Sequence, residues 1–290
     1  MNLEELRTFL AIVEGGSLAA AAQRLHVTPS TVTARLNTLE RQLGCRVLQR
    51  KKVGAELTSA GFKLQRYAEL MLQLWKQANF EVALPPGVED VCNIGVDFDL
   101  WRDVGERFLD RVRASRPGVA LALWPGEQRQ LQRWLGMGLI DLAFCHDPQG
   151  MAGCASRLHF EDEIVLWSAT AADDARMDAA YVYVDHGDEF RRQHAAAFPA
   201  ASPPLTTLAA SEWALEHMLK HGGKGYLPLR MVAPLLSARR LHRVKGAPVF
   251  KRRVYVVENV AAVERWEWYR AALAASKPGR VSRPRRRRRD

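Results

Sequence analysis

Ser30, Thr31, Thr33 and Arg35 put three hydroxyls and a guanidinium within six residues, and the basic run Arg50-Lys51-Lys52 lies a short way downstream. Small hydroxyls let a helix lie close to phosphate oxygens and base edges. An arginine grips a guanine edge in bidentate fashion or holds a phosphate. A compact basic run meets a polyanion backbone whatever its sequence and makes affinity depend on salt. On an arbitrary helix these would be ordinary solvated side chains, so their meaning depends on the elements that carry them. Other reactive groups carry less. His217 and His221 share a helix face, but the glutamate of an HExxH metal motif is missing, and a surface pair is expected. No Ser-His-Asp constellation or phosphate-cradling loop stands out, so no catalytic residue, metal or cofactor is assigned. Cys45, Cys92, Cys145 and Cys154 have no paired metal spacing and should be reduced and mostly buried.

The first eighty residues supply the positioning elements. Leu6, Phe9, Leu10 and Val13 form one helical face that Gly15-Gly16 ends. Ser17 caps a second helix over 19–25, His26-Val27 makes a short turn, and Thr28 caps a third helix with Pro29 at its first position. Val32, Leu36, Leu39 and Leu43 line the buried side of that third helix, and Gly44 closes it. Two helices joined by a tight turn make a helix-turn-helix, whose second member enters the DNA major groove. Residues 46–57 read as two short strands around a basic turn with Gly54, a β-hairpin wing whose tip carries Arg50, Lys51 and Lys52. Thr58 or Ser59 then caps a long helix to about Val82. Ala60, Leu64, Tyr67, Met71, Leu74 and Ala78 recur on it at alternating steps of four and three, a coiled-coil seam. By pattern alone the seam suits either a second copy or its own domain. Pro85-Pro86-Gly87 is the clearest linker.

GGSLAAAAQRLHVTPSTVTARLNTLERQLG followed by LTSAG resembles the DNA-binding signature of LysR-type transcriptional regulators, nearly continuously over residues 3–66. The resemblance implies double-stranded DNA as a partner, contacted through Ser17, Thr28, Pro29, Ser30, Thr31, Thr33, Ala34, Arg35, Arg50, Lys51 and Lys52. It also implies that the long helix pairs with its counterpart in a homodimer or homotetramer. Relatives often carry a DNA-contacting Gln at the position of Pro29 and a Ser at that of Thr33, so the bases read here should differ.

Strand-like runs at 91–96, 119–124 and 139–144 alternate with helices at about 101–115 and from 128 to 135, which implies a mostly parallel sheet. A second set runs from about 165 to 248, a strand returns at 253–257, and a last helix spans 261–274. Two such lobes joined by crossing strands resemble the periplasmic-binding-protein-like (type 2) effector domain of LysR regulators. Gly138-Leu139-Ile140-Asp141-Leu142 and Gly223-Lys224-Gly225-Tyr226-Leu227-Pro228 are its landmarks. Leu100-Trp101, Leu74-Trp75 and the short second lobe are similar to the branch that includes a repressor of the flagellar master operon. The expected class is thus α+β, a winged helix-turn-helix (1–58), linker helix (59–84), hinge (85–90) and effector domain (91–275). Lobe I takes about 91–163 and 256–275, lobe II about 164–255, and 276–290 is a disordered basic tail.

A small-molecule effector would bind between the lobes, with Asp97, Phe98, Asp99, His186 and Ser211 as candidates. Each also suits a plain cap or loop role. Relatives offer Ser or Thr where Asp97 and Asp99 stand. Two carboxylates should repel an anion, so any effector is expected to be neutral or cationic.

Charge fits this division. The formal net charge is +10, distributed as +5 over residues 1–80, −2 over 81–275 and +7 over 276–290. Base at the two ends suits a polyanion partner, although a solvated basic surface reads the same way. The five consecutive arginines 285–289 suit a nonspecific DNA arm or a solubilising extension. No apolar run is long enough to span a bilayer, and the acidic start is unlike a signal peptide, so a cytoplasmic protein with no membrane partner is expected. Two other functions compete with sequence-specific regulation. One is nonspecific nucleoid binding driven by the arginine tail. The other is ligand binding with a vestigial DNA-binding half, against which Arg35 and the basic wing argue.

Overall fold

The computed structural model describes residues 2–51, 54–171, 174–238 and 240–278. Lys52, the Arg50 side chain and the arginine run lie outside what is described. The chain divides between Pro86 and Gly87 into two compact units.

In the first unit, α1 (Leu3–Gly15) starts with a capping box between Asn2 and Glu5. Ser17 caps α2 (Leu18–Leu25), and Thr28 caps α3 (Pro29–Leu43), which has Pro29 in its first turn. Both helix ends that close onto glycine, Gly16 and Gly44, are left-handed. Leu6, Phe9, Ile12, Val32, Leu36, Leu39 and Val47 form the buried centre. Strands β1 (Leu48–Lys51) and β2 (Gly54–Leu57) pair antiparallel as the wing. The wing is held near its turn: the Ala55 amide donates to the Gly16 carbonyl at 2.7 Å. A Cβ on Gly54, whose φ is +98°, would lie 2.3 Å from that carbonyl oxygen, so only glycine fits. Helix α4 (Ser59–Val82) is capped by Thr58, of the two candidates, which accepts from the Gly61 amide at 3.0 Å.

The second unit begins with β3 (Asp90–Val96). After it come α5 (Glu106–Ser115), β4 (Val119–Pro125), α6 (Gln128–Gly136), β5 (Leu142–Cys145), β6 (Cys154–Ser168), β7 (Tyr181–Val184) and α7 (Asp188–Ala197). The chain continues through β8 (Thr206–Leu208), α8 (Ser211–His221), β9 (Lys224–Pro228), α9 (Leu229–Val232), β10 (His242–Arg243), β11 (Phe250–Asn259), α10 (Val260–Val263) and α11 (Tyr269–Ala275). The sheet order is β4-β3-β5-β11-β6-β9-β7-β8, with β10 beside β6. Parallel triplets at each end, β4-β3-β5 and β9-β7-β8, are the two lobes. The long antiparallel pair β6 and β11 crosses between them.

Three expected elements differ. The helix expected from Trp101 begins at Glu106 instead, because Arg102 is extended and Asp103 has φ +70°. The Asp99 and Arg102 carbonyls turn aside to accept from Arg230. The strand expected from Leu139 begins at Leu142; just before it, the Asp141 backbone still bonds to Asn93 and Asn259, and it is the Asp141 carboxylate that accepts the Asn93 amide. The last helix is two short ones, interrupted where Trp266 and Trp268 stack with ring centres 5.2 Å apart. Of the cysteines, Cys92 and Cys145 are buried and Cys45 is exposed.

Candidate DNA-binding face and inter-lobe cleft

The start of α3 is exposed, but its hydroxyls are partly engaged. Thr28 Oγ1 accepts the Thr31 amide at 3.2 Å and lies 2.8 Å from both Ser30 Oγ and Thr31 Oγ1. Thr33 Oγ1 donates to the Pro29 carbonyl. Ser17 Oγ accepts from the Ala20 amide as the α2 cap. These hydroxyls therefore set the helix ends first, and only their spare lone pairs or rotations are left for DNA. Pro29, Ser30 and Ala34 are exposed, and the same stripe continues through Asn37 and Arg41. Sequence reasoning missed Asn37, although the steps 30, 34, 37 and 41 share one face. Arg35 is turned back toward α1, where Nη1 lies 3.2 Å from the Glu4 carboxylate and 3.5 Å from Thr8 Oγ1. Lys51 pairs with Glu56 across the wing at 2.6 Å. Exposed pairs of this kind contribute little and give way easily to a phosphate.

The long helix answers its two alternatives by position. Ala60 and Leu64 pack against the first unit's core, as do the buried Ala68 and the half-buried Leu72. Tyr67, Met71 and Leu74 are exposed, together with Trp75, and so is Ala78. Only the later part of the expected seam is free of its own domain.

In the second unit, three of the five effector candidates come together in a buried cluster. Asp99 Oδ1 accepts the Ser211 amide at 2.8 Å, and Oδ2 accepts the Ser211 hydroxyl at 2.9 Å and Arg252 Nη1 at 3.2 Å. His186 donates through Nε2 to the Tyr226 carbonyl at 2.9 Å, which leaves Nδ1 as an acceptor 3.4 Å from Arg252 Nη1. Asp97 Oδ1 accepts the Asp99 amide, a local turn, and Phe98 points outward with half its surface exposed. Two residues that sequence reasoning missed, Arg230 and Arg252, organise the cluster. Arg230 donates to Asp162 at 2.7 Å, to the Asp99 carbonyl at 2.6 Å and to the Arg102 carbonyl at 3.2 Å.

These arginines change the electrostatics inferred from two carboxylates. Burial alone would raise the Asp99 carboxyl, but Arg252 and the Ser211 donors outweigh it and hold the group below its usual range. Burial raises Asp97 against the pull of Arg252, and raises Asp162 against Arg230. The charge repulsion on which a neutral or cationic effector was expected is thus offset, since guanidinium groups already face these carboxylates.

Burial, reinforced by Arg252, pushes His186 down to about 4. Burial and nearby Lys277 do the same to His159, also to about 4. Both are neutral in the folded chain at neutral pH. An unfolded histidine takes up its proton near 6.5, so acid favours unfolding between that pH and the folded value of about 4. Stability should be full above pH 6.5 and decline as pH falls, while Asp97 and Asp162 act the other way at the acid end. Melting curves followed by circular dichroism test this; a level melting temperature from neutral pH down to about 4 would contradict the neutral assignment.

Comparison with known proteins places both halves. A family model described as "Bacterial regulatory helix-turn-helix protein, lysR family" matches residues 3–62. One described as "LysR substrate binding domain" matches residues 91–262. HTH-type transcriptional regulators named HdfR, from Shigella boydii and Escherichia coli, are 26% identical over 260 residues, 89% of this chain and 91% of theirs. Among solved structures, CbnR, a LysR family transcriptional regulator, matches 96% of this chain and 100% of its own at 18% identity, with a TM-score of 0.67. Full-length CbnR complexed with its target DNA covers 95% and 100% at 18% identity, with a TM-score of 0.66. At such identities these structures attest the fold.

Proposed function

The chain belongs to the lysR family of bacterial regulatory helix-turn-helix proteins, and from that premise we propose how its parts divide the work of a DNA-binding transcriptional regulator. The observation that carries the proposal is the first unit, in which α3 offers an exposed face beside a basic wing. Residues 1–58 bind double-stranded operator DNA, 59–84 pair two copies, and 91–275 form the effector domain across a hinge at 85–90. The copies set the spacing of two half-sites. Such a protein acts on the chromosome in the cytoplasm, and no helix among the described residues is long and apolar enough to cross a membrane. It does so without enzymatic chemistry of its own.

Within the DNA-binding unit, Arg35 leaves Glu4 to read a base edge or an adjoining phosphate, Ser30 and Ala34 let the helix approach, and Lys51 neutralises a phosphate. Gel-shift titrations on a duplex selected from a random pool, and on an unselected duplex, separate these roles. Arg35→Ala is expected to cost about 1–3 kcal/mol on the selected duplex and little on the other. Lys51→Ala is expected to weaken both alike and to reduce the salt slope by about one. Equal losses on both duplexes for Arg35→Ala would remove it as a reader, and equal affinity of the wild type for both would overturn sequence-specific regulation.

A further inference from the structure

We propose that the cleft between the two lobes is a small-anion site filled by the protein's own Asp99, so that a diffusible carboxylate binds there only when Asp99 is removed. The proposal rests on the reading of residues 91–275 as an effector domain.

Asp99 leaves lobe I on the turn after β3, and Ser211 opens α8 in lobe II, 112 positions further on. The carboxylate spans that distance with both oxygens. One takes the helix's first amide; the other takes the serine hydroxyl and Arg252, which lies on the crossing strand β11. A helix N-terminal amide, a hydroxyl and a guanidinium together are what a free carboxylate would need. Here all three are committed to an internal one that is 6% exposed.

An ordinary cap would come from the residue before the helix. Ala210 holds that position in α8 and supplies no side-chain oxygen. The cap arrives instead from the other lobe. Arg102 reaches the next residue, Glu212, at 2.6 Å, giving the same helical turn a second link to lobe I. Arg230 fixes the Asp99 backbone through its carbonyl, so the carboxylate is delivered on a braced loop. His186, neutral and accepting from Arg252, holds the guanidinium at its station. A diffusible anion has to displace a group whose local concentration is fixed by the fold.

The test uses the full chain and formate, which matches the carboxylate that Asp99→Ala deletes. Wild type should melt at the same temperature in sodium formate as in sodium chloride of equal concentration. Asp99→Ala should melt lower, and millimolar formate should restore much of the loss in a saturable way, as binding to the native state requires. Adding Ser211→Ala to Asp99→Ala should abolish the recovery. Formate that stabilises wild type and variant equally, or Asp99→Ala that melts like wild type, overturns the proposal. Should Asp99→Ala not fold, Asp99→Asn decides the matter: it fills the site without charge and should melt lower with no response to formate. A wild-type melting temperature for Asp99→Asn, or its recovery in formate, overturns the proposal as well. Gel shifts on the same proteins keep the two readings apart. Loss of operator selectivity in the wild type would sink the regulatory function and leave the formate result standing, and the converse holds equally.

Discussion

Replacing Met71 and Leu74 together with aspartate is expected to halve the assembly's mass and to lower operator affinity by about 10²–10⁴-fold, the advantage that linking two binding modules confers. Helix α4 has 24 residues, about 36 Å at 1.5 Å per residue. Its first turns are committed inward: a Cβ on Gly61 would fall 2.1 Å from the Val47 carbonyl oxygen, and Ala68 is fully buried. Tyr67, Met71, Leu74 and Trp75 are 38–47% exposed, a row of large apolar side chains along one stripe. Exposed apolar patches of this kind mark interfaces, and unpaired charge buried in one is strongly unfavourable. Because Met71 and Leu74 do not contribute to the first unit's core, circular dichroism should show the helices intact. Light scattering measures the mass, and gel shifts the affinity. Unchanged mass with undiminished affinity would show that α4 is not the pairing element.

Arg230→Met is expected to destabilise the effector domain by about 3–5 kcal/mol, the usual result of removing one partner from a buried ion pair. For a unit of some two hundred residues that is a melting-temperature drop on the order of 10 °C. The Arg230 side chain is 4% exposed and that of Asp162 is 6% exposed. Without the guanidinium, Asp162 is left as a buried carboxyl that burial already pushes up, and two backbone carbonyls lose their donor. Lysine should rescue little, because one ammonium cannot reproduce a fork that reaches three acceptors in different directions. Arg230→Met combined with Asp162→Leu should recover much of the loss, since a hydrophobic pair avoids the stranded charge. Calorimetry on the full chain provides the measurement; a drop of only a degree or two for Arg230→Met would show that the pair is solvated after all.

The helix-turn-helix was legible in the sequence because its signals are local. Ser17, Thr28 and Pro29 mark helix starts, Gly16 and Gly44 mark ends, and each acts within four residues. Asp99, His186 and Ser211 could also be named, since each follows a strand or begins a helix. What held them together could not, because Arg230 and Arg252 meet Asp99 from 131 and 153 positions away. Two faint signals existed. Arg230 is a lone charge within the apolar run from Tyr226 to Val232. Arg252 is the middle of Lys251-Arg252-Arg253, where strand alternation places it on the side of Phe250 and Val254 and its neighbours on the other. The irregular stretch 101–105 was invisible for the same reason: its composition suits a helix, and the distant Arg230 draws the Asp99 and Arg102 carbonyls elsewhere. Likewise, the heptad on α4 predicted one continuous seam, whereas the contacts of Ala60 and Leu64 depend on where α1 and the wing lie.

The span between Asp99 and Arg252 also sets an order of events during translation. Among the described residues, the core of the DNA-binding unit draws on nothing beyond Leu72, so that core has its partners once the linker has emerged. The anion site has to wait for Arg252, 166 residues after Pro86, or roughly 10–30 s at about 5–20 residues per second. Contacts so far apart in the chain close late and slowly. A nascent chain therefore presents a finished DNA-binding head, tethered to the ribosome, well before its regulatory half has acquired the carboxylate that ties its lobes together.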